Sequence, residues 1–212
     1  VILHLWFPNL IKKINMLIIT GTGRSGTSII AAWLKKCGVI DYESEWIPQF
    51  NSGYDTPDVS RLNSAIWLGN DPALQSIPAQ TVAIKGFEYD IVKDSKFFYG
   101  NVLNTWLSIR KDLTFLICLR KFSEVQKSRM NISQLSMVRK PEELENDLGK
   151  FVSQLVFNDI PFEFIKFPDF SSEYDLVYSK LEKLHPDIVQ KISVETGRKI
   201  WNDIIDETKL HF

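Results

Sequence analysis

The chain has 212 residues, which fits one domain of ordinary size, and its 44% hydrophobic and 24% charged content belongs to a folding chain rather than a disordered one. Lys and Arg number 25 against 26 Asp and Glu, a net charge of −1, so the basic excess with which a non-specific nucleic-acid binder neutralises phosphates is missing. Two cysteines, Cys37 and Cys118, both in apolar segments, exclude a disulfide framework and a cysteine-built zinc site.

No run approaches the roughly 20 apolar residues of a membrane-spanning helix. Residues 1–15 carry Pro8 and no small-residue cleavage site, so they read as a leader or an upstream fragment. Met16 opens a single domain over residues 16–212. Free thiols and the lack of a signal segment predict a cytoplasmic protein, with a luminal domain of a longer anchored protein as the alternative.

In chain order, apolar runs that suit buried parallel strands fall at Leu17–Thr20, Thr81–Ile84, Thr114–Leu119 and Phe162–Phe167. Helical spacing covers Thr27–Cys37, where Ile29, Ile30, Trp33, Leu34 and Cys37 form a stripe ended by Gly38. Thr56-Pro57-Asp58 is a start signal, with Thr56 as capping hydroxyl, for a helix over Val59–Leu68. Further helices are predicted at Lys96–Ile109, Pro141–Phe157, Tyr174–Leu184 and across much of Pro186–Ile205. Strand–helix alternation predicts an α/β three-layer sandwich around a central, mostly parallel sheet.

The most informative segment is Gly21-Thr22-Gly23-Arg24-Ser25-Gly26-Thr27-Ser28, between the first strand and the first helix. Glycines there let backbone N–H groups approach an anion, and the helix N-terminus adds about half a positive charge, so phosphate or sulfate is the expected occupant. Hydroxyls of Ser25, Thr27 and Ser28 are available as further donors. Gly21, Gly26 and Ser28 are in register with the nucleoside-triphosphatase pattern G-x-x-x-x-G-K-[ST], but Thr27 stands where the lysine that reaches the transferred phosphate belongs. The predicted strands run into Lys85 and Arg120, not into an aspartate suited to magnesium. A small-molecule kinase or other nucleotide enzyme with an altered loop is therefore the alternative reading.

The loop resembles the 5′-phosphosulfate loop of sulfotransferases that use 3′-phosphoadenosine 5′-phosphosulfate (PAPS), where a Lys or Arg precedes S-G-T-[ST], as Arg24 precedes Ser25-Gly26-Thr27-Ser28. A second element is similar to the same family: strand TFLICL ends in Arg120, and Ser128 follows eight residues later, with Phe122 where the family usually has proline. Phe164–Phe170 and the helix after it look like the family's late strand and helix.

The resemblance implies a fold like that of the P-loop nucleoside triphosphatases and transfer of a sulfuryl group from PAPS to an acceptor hydroxyl, without a metal. It implies Gly23, Arg24, Ser25, Gly26, Thr27 and Ser28 at the 5′ end of the donor and Arg120 and Ser128 at its 3′-phosphate. Gly197-Arg198 is the candidate remnant of the family's C-terminal glycine-rich loop, which adds Arg198 to the donor residues. A non-catalytic nucleotide-binding module with the same loop is a further alternative.

Transfer needs a base in reach of the acceptor hydroxyl. The histidines, His4, His185 and His211, lie away from the expected centre, leaving Glu45 and Glu43, in a position similar to the glutamate of polysaccharide sulfotransferases, or else solvated loop acids. Lys85, at a strand's carboxyl end, is the candidate for leaving-group stabilisation or a lysine snorkelling from the sheet edge. Trp46, Phe50, Tyr54, Phe87 and Tyr89 are either an acceptor pocket or ordinary core. A carbohydrate hydroxyl is the preferred acceptor.

Overall fold

The computed structural model describes residues 15–42, 46–47, 52–53, 55–56, 59–60, 63, 66, 89–99, 101–130 and 139–209. Its strands are β1 (Met16–Gly21), β2 (Trp46–Ile47), β3 (Ser52–Gly53), β4 (Ile91–Lys93), β5 (Leu113–Leu119) and β6 (Phe162–Lys166). Its helices are α1 (Thr27–Lys36), α2 (Val102–Ile109), α3 (Phe122–Met130), α4 (Pro141–Phe157), α5 (Tyr174–Leu184), α6 (Pro186–Val189) and α7 (Val194–Lys209).

Four strands form one all-parallel sheet in the order β4-β1-β5-β6, while β2 and β3 pair antiparallel as a separate ribbon. Side chains alternate across the pleat, and both faces are apolar. Leu17, Ile19, Leu116 and Cys118 pack beneath α1, α5 and α7, with Trp33, Val177, Leu181 and Trp201 in that layer. Met16, Ile18, Phe115 and Ile117 face the opposite way, onto Trp106 of α2, Val125 of α3 and Leu144, Phe151 and Leu155 of α4. The result is the expected α/β sandwich, and continuous apolar strands are what two covered faces require.

The order also locates a crevice. From β1 the chain crosses to β4 on one side, then returns past β1 to β5 and moves on to β6 on the other. Between the carboxyl ends of β1 and β5 the connections therefore diverge, to α1 on one face and α3 on the other, and such a switch point is where open α/β sheets bind ligands.

Several expectations shift. The predicted strand Thr81–Ile84 lies outside the described residues; the strand beside β1 is β4, registered Ile18 to Val92. The predicted helix Lys96–Ile109 is a 3-10 turn, Ser95–Phe98, followed by α2, because Asp94 caps the turn and Tyr99 is extended at φ −114°. The C-terminal helix is divided by residues 190–193, where the buried Ile192 holds the chain in the core. The Thr56 carbonyl accepts from Ser60 N at 2.8 Å, the bond of a residue at a helix start, and its Oγ1 accepts from the backbone N–H of Lys93 at 3.0 Å, fastening the segment to the sheet edge. Residues 59, 60, 63 and 66 are helical, and the remainder of that predicted helix lies outside the described residues.

Candidate functional site

The glycine loop leaves β1 at Gly21, where a Cβ would lie 2.3 Å from Ser25 Oγ and 2.4 Å from the Cys118 carbonyl oxygen of β5. A side chain here would collide with backbone, so the close approach of β1 and β5 dictates glycine. Gly23 (φ 69°), Arg24 (φ 61°) and Gly26 (φ 88°) then turn in the left-handed region. For Arg24 this conformation costs about 1 kcal/mol, a strain often found at binding loops. It directs an arginine out of a segment otherwise made for close backbone approach.

The loop delivers the chain into α1, whose N-terminus has no side-chain cap hydrogen bond and no acidic residue in its first turn. Its dipole is thus uncompensated at the end that faces the crevice, whereas Lys35 and Lys36 complement the other end. Thr22 and Ser25 are fully buried, and their hydroxyls have no hydrogen-bond partner among the described residues. Thr27 is buried as well, so Gly23, Arg24, Gly26 and Ser28 form the loop's partly exposed face.

The end of β5 meets this loop. Arg120 Nη1 donates to the Arg24 carbonyl at 3.4 Å, and Arg24 Nε donates to Ser128 Oγ of α3 at 3.1 Å. The two predicted anion elements, about a hundred residues apart, are thereby in direct contact. Arg24 is thus already held by α3. As Ser128 Oγ accepts from Arg24, its own O–H is left to donate elsewhere. Burial first, then the neighbouring charges of Arg120 and Arg129, pull the Arg24 pKa below the ordinary arginine value. Glu124 Oε2 lies 3.2 Å from Arg120 Nε, and the Arg120 guanidinium is 5.1 Å from the Phe167 ring centroid.

Arg129 was not a sequence-based candidate. Its Nη2 donates to the Thr22 carbonyl and, at 3.0 Å, to the Tyr99 hydroxyl. Tyr99 in turn donates to the same carbonyl at 3.2 Å. No local pattern signals these contacts, since α3 buries only Val125 and reads as a solvated helix.

Beside the loop, β4 ends in Lys93 and is followed by Asp94, an aspartate after a strand that the sequence reading did not include. Its carboxylate is already engaged. Oδ1 accepts from Lys96 N at 3.0 Å and lies 3.5 Å from Lys96 Nζ, while Oδ2 accepts from Asn63 Nδ2 at 2.8 Å. Trp106 Nε1 donates to Asn63 Oδ1 at 2.8 Å and so fixes which way that amide faces. Asp94 is 0% exposed, and burial pushes its carboxyl pKa up against the opposing effect of Lys96. It is a turn cap.

Lys93, 3% exposed, has its Nζ 2.8 Å from Asp55 Oδ1, close to Tyr42 and Tyr89, whose rings meet edge to face with centroids 5.6 Å apart. The Tyr42 hydroxyl is pushed up to about 12, chiefly by burial.

Glu43, Glu45 and Lys85 lie outside the described residues, as do Phe50, Tyr54 and Phe87. Arg198 is on α7, bidentate to Asp175 at 2.9 and 2.7 Å and over the Tyr174 ring; these contacts are with α5, not with the glycine loop. His185 is 5% exposed and its Nε2 donates to the Asn15 carbonyl, a satisfied histidine. Cys37 and Cys118 are free thiols, raised in pKa by burial, Cys37 to about 11. Among the described residues no group of three or more metal-ligating side chains occurs, and no helix is long and apolar enough to cross a membrane. Compared with family models and with curated proteins, the chain matches none.

Proposed function

We propose that the chain is a PAPS-dependent sulfotransferase, moving a sulfuryl group to an acceptor hydroxyl, with a carbohydrate as the preferred acceptor class. One observation carries this: the glycine loop and the Arg120–Ser128 element meet, through Arg24, at the switch point of a parallel sheet. A donor with phosphates on two ribose arms needs two anion sites of this kind at one crevice. The loop and the uncapped N-terminus of α1 take the 5′ end. Arg120 and Ser128 take the 3′-phosphate, the arginine by planar, multi-donor recognition. The hydroxyls of Thr22 and Ser25, without a partner among the described residues, each carry a cost of about 1–3 kcal/mol, which an anion that draws them into hydrogen bonds relieves.

In the transfer, a base removes the acceptor's proton as its oxygen bonds to sulfur, and the bond from sulfur to the phosphate oxygen breaks, releasing adenosine 3′,5′-bisphosphate. Glu45 or Glu43 is the proposed base. Fixed N–H donors and cationic side chains hold the charge that develops on the leaving phosphate. Lys85, a lysine at a predicted strand end, is the proposed donor to that phosphate; β4 likewise ends in a lysine, Lys93, whose ammonium is paired with Asp55.

The test is thermal-shift titration with adenosine 3′,5′-bisphosphate against ATP plus magnesium, since a ligand that binds the folded state raises its stability by mass action. Preference for the bisphosphate supports the proposal, and preference for ATP plus magnesium favours the kinase alternative. A labelled-donor assay then separates the enzyme from a non-catalytic module. There, Glu45→Gln or Glu43→Gln should lower transfer by about 10²–10⁴ with donor affinity unchanged, and loss of neither activity would remove the carboxylate mechanism.

A further inference from the structure

We propose that Arg129 is the positioning residue of the glycine loop, serving the 5′ arm of the site although its neighbour Ser128 serves the 3′ arm. This rests on the donor-site assignment above.

Arg129 Nη2 and the Tyr99 hydroxyl both donate to the Thr22 carbonyl, and Arg129 also donates to Tyr99, so the three groups close a triangle of hydrogen bonds. A peptide unit is planar and trans, with its carbonyl and N–H pointing to opposite sides. Pinning the Thr22 carbonyl toward Arg129 therefore turns the Gly23 N–H away from α3. That N–H opens the left-handed run Gly23–Arg24, so its direction sets the loop's approach to an anion.

The fit is close: a Cβ on Gly23 would stand 2.9 Å from Arg129 Nη2. The triangle is braced from behind, where the Arg139 guanidinium lies 5.2 Å from the Tyr99 ring centroid and is itself paired with Asp147 of α4. α3 thus supports both arms from consecutive residues. Ser128 faces Arg24 with a hydroxyl, and Arg129 grips the backbone two residues earlier.

Calorimetric titration of wild type, Arg129→Met, Arg129→Lys and Tyr99→Phe with adenosine 5′-phosphate and, separately, adenosine 3′-phosphate tests this. Arg129→Met should weaken the 5′-phosphate about tenfold and leave the 3′-phosphate unchanged. Arg129→Lys should restore part of the loss, because an ammonium can still donate to the Thr22 carbonyl. Tyr99→Phe removes one hydroxyl and should give a smaller loss on the same arm, which keeps the comparison available if Arg129→Met does not fold. A loss confined to the 3′-phosphate, or equal on both ligands, would show direct phosphate contact or a general charge effect and overturn the proposal; so would no loss. The donor reading fails separately: a wild type that prefers ATP plus magnesium to adenosine 3′,5′-bisphosphate defeats it while leaving the 5′-arm comparison intact.

Discussion

Two neighbouring strands, β1 and β4, end at the same edge of the sheet in turns of opposite character. After β4, the polar groups of Asp94 are satisfied: its N–H donates to the Ile19 carbonyl, its carbonyl accepts from Thr20 Oγ1, and its carboxylate is shared between Asn63 and Lys96. After β1, Gly23, Arg24 and Gly26 turn left-handed, two buried hydroxyls lack partners among the described residues, and Arg24 carries the repulsion of Arg120 and Arg129. A turn whose bonds are closed internally holds a fold together. One with strain, unmade bonds and concentrated like charge is arranged for something to enter.

Substitutions on either side sharpen this contrast. The largest effect on stability is expected at Asp94→Ala, which removes the cap and leaves Asn63 Nδ2 and Lys96 N without an acceptor, for about 2–4 kcal/mol. Nucleotide affinity of the folded fraction should not change, so denaturant unfolding combined with a titration is the check. If affinity falls while stability holds, the two turns are not the separate devices described.

Next comes Arg120→Ala, which should cost about 1.5–3 kcal/mol of bisphosphate affinity with a much smaller loss for adenosine 5′-phosphate, as read by calorimetry. Ser128→Ala should show the same selectivity at about 1 kcal/mol. Arg24→Gly is a more pointed case. It relieves a left-handed arginine and a like-charge contact while giving up the bond to Ser128. Stability should stay level or rise by about 1 kcal/mol as donor affinity falls, the exchange expected where a loop is strained for binding. A variant that unfolds would make Arg24 structural.

The smallest effect is a pH dependence. Because burial raises the Asp94 carboxyl in the folded state, that group's contribution is fully present below its unfolded value of 3.8 and is lost as pH rises through the folded value. Asp94→Asn removes the titration. The stability of wild type relative to this variant should therefore be greatest at low pH and decline as pH rises, a trend that melting curves across the range will show.

Much of this arrangement was legible in the residues. LIIT and TFLICL are long enough and apolar enough to announce buried strands, and Pro141 with Glu142 and Glu143 marks the start of α4. The loop and the Arg120-to-Ser128 spacing pointed to the region where the structure brings them together. β4 escaped notice because three residues, Ile91–Lys93, between two aspartates form too short an apolar run to stand out. Asp94, Asn63 and Trp106 escaped because their network closes across separate segments. Arg129 reaches Thr22 over 107 positions, a distance at which no periodicity carries a signal. Local pattern revealed where the glycine loop is; long-range hydrogen bonding revealed what holds it.

The most direct test of the two-armed site reads each phosphate by itself. Phosphorus-31 NMR of adenosine 3′,5′-bisphosphate titrated with the protein resolves the 5′ and 3′ resonances. The account predicts that both shift on binding to wild type and that in Arg120→Ala the 3′ resonance returns toward its free position while the 5′ resonance remains shifted. A 3′ resonance that does not move with wild type, or that moves equally with Arg120→Ala, would contradict it.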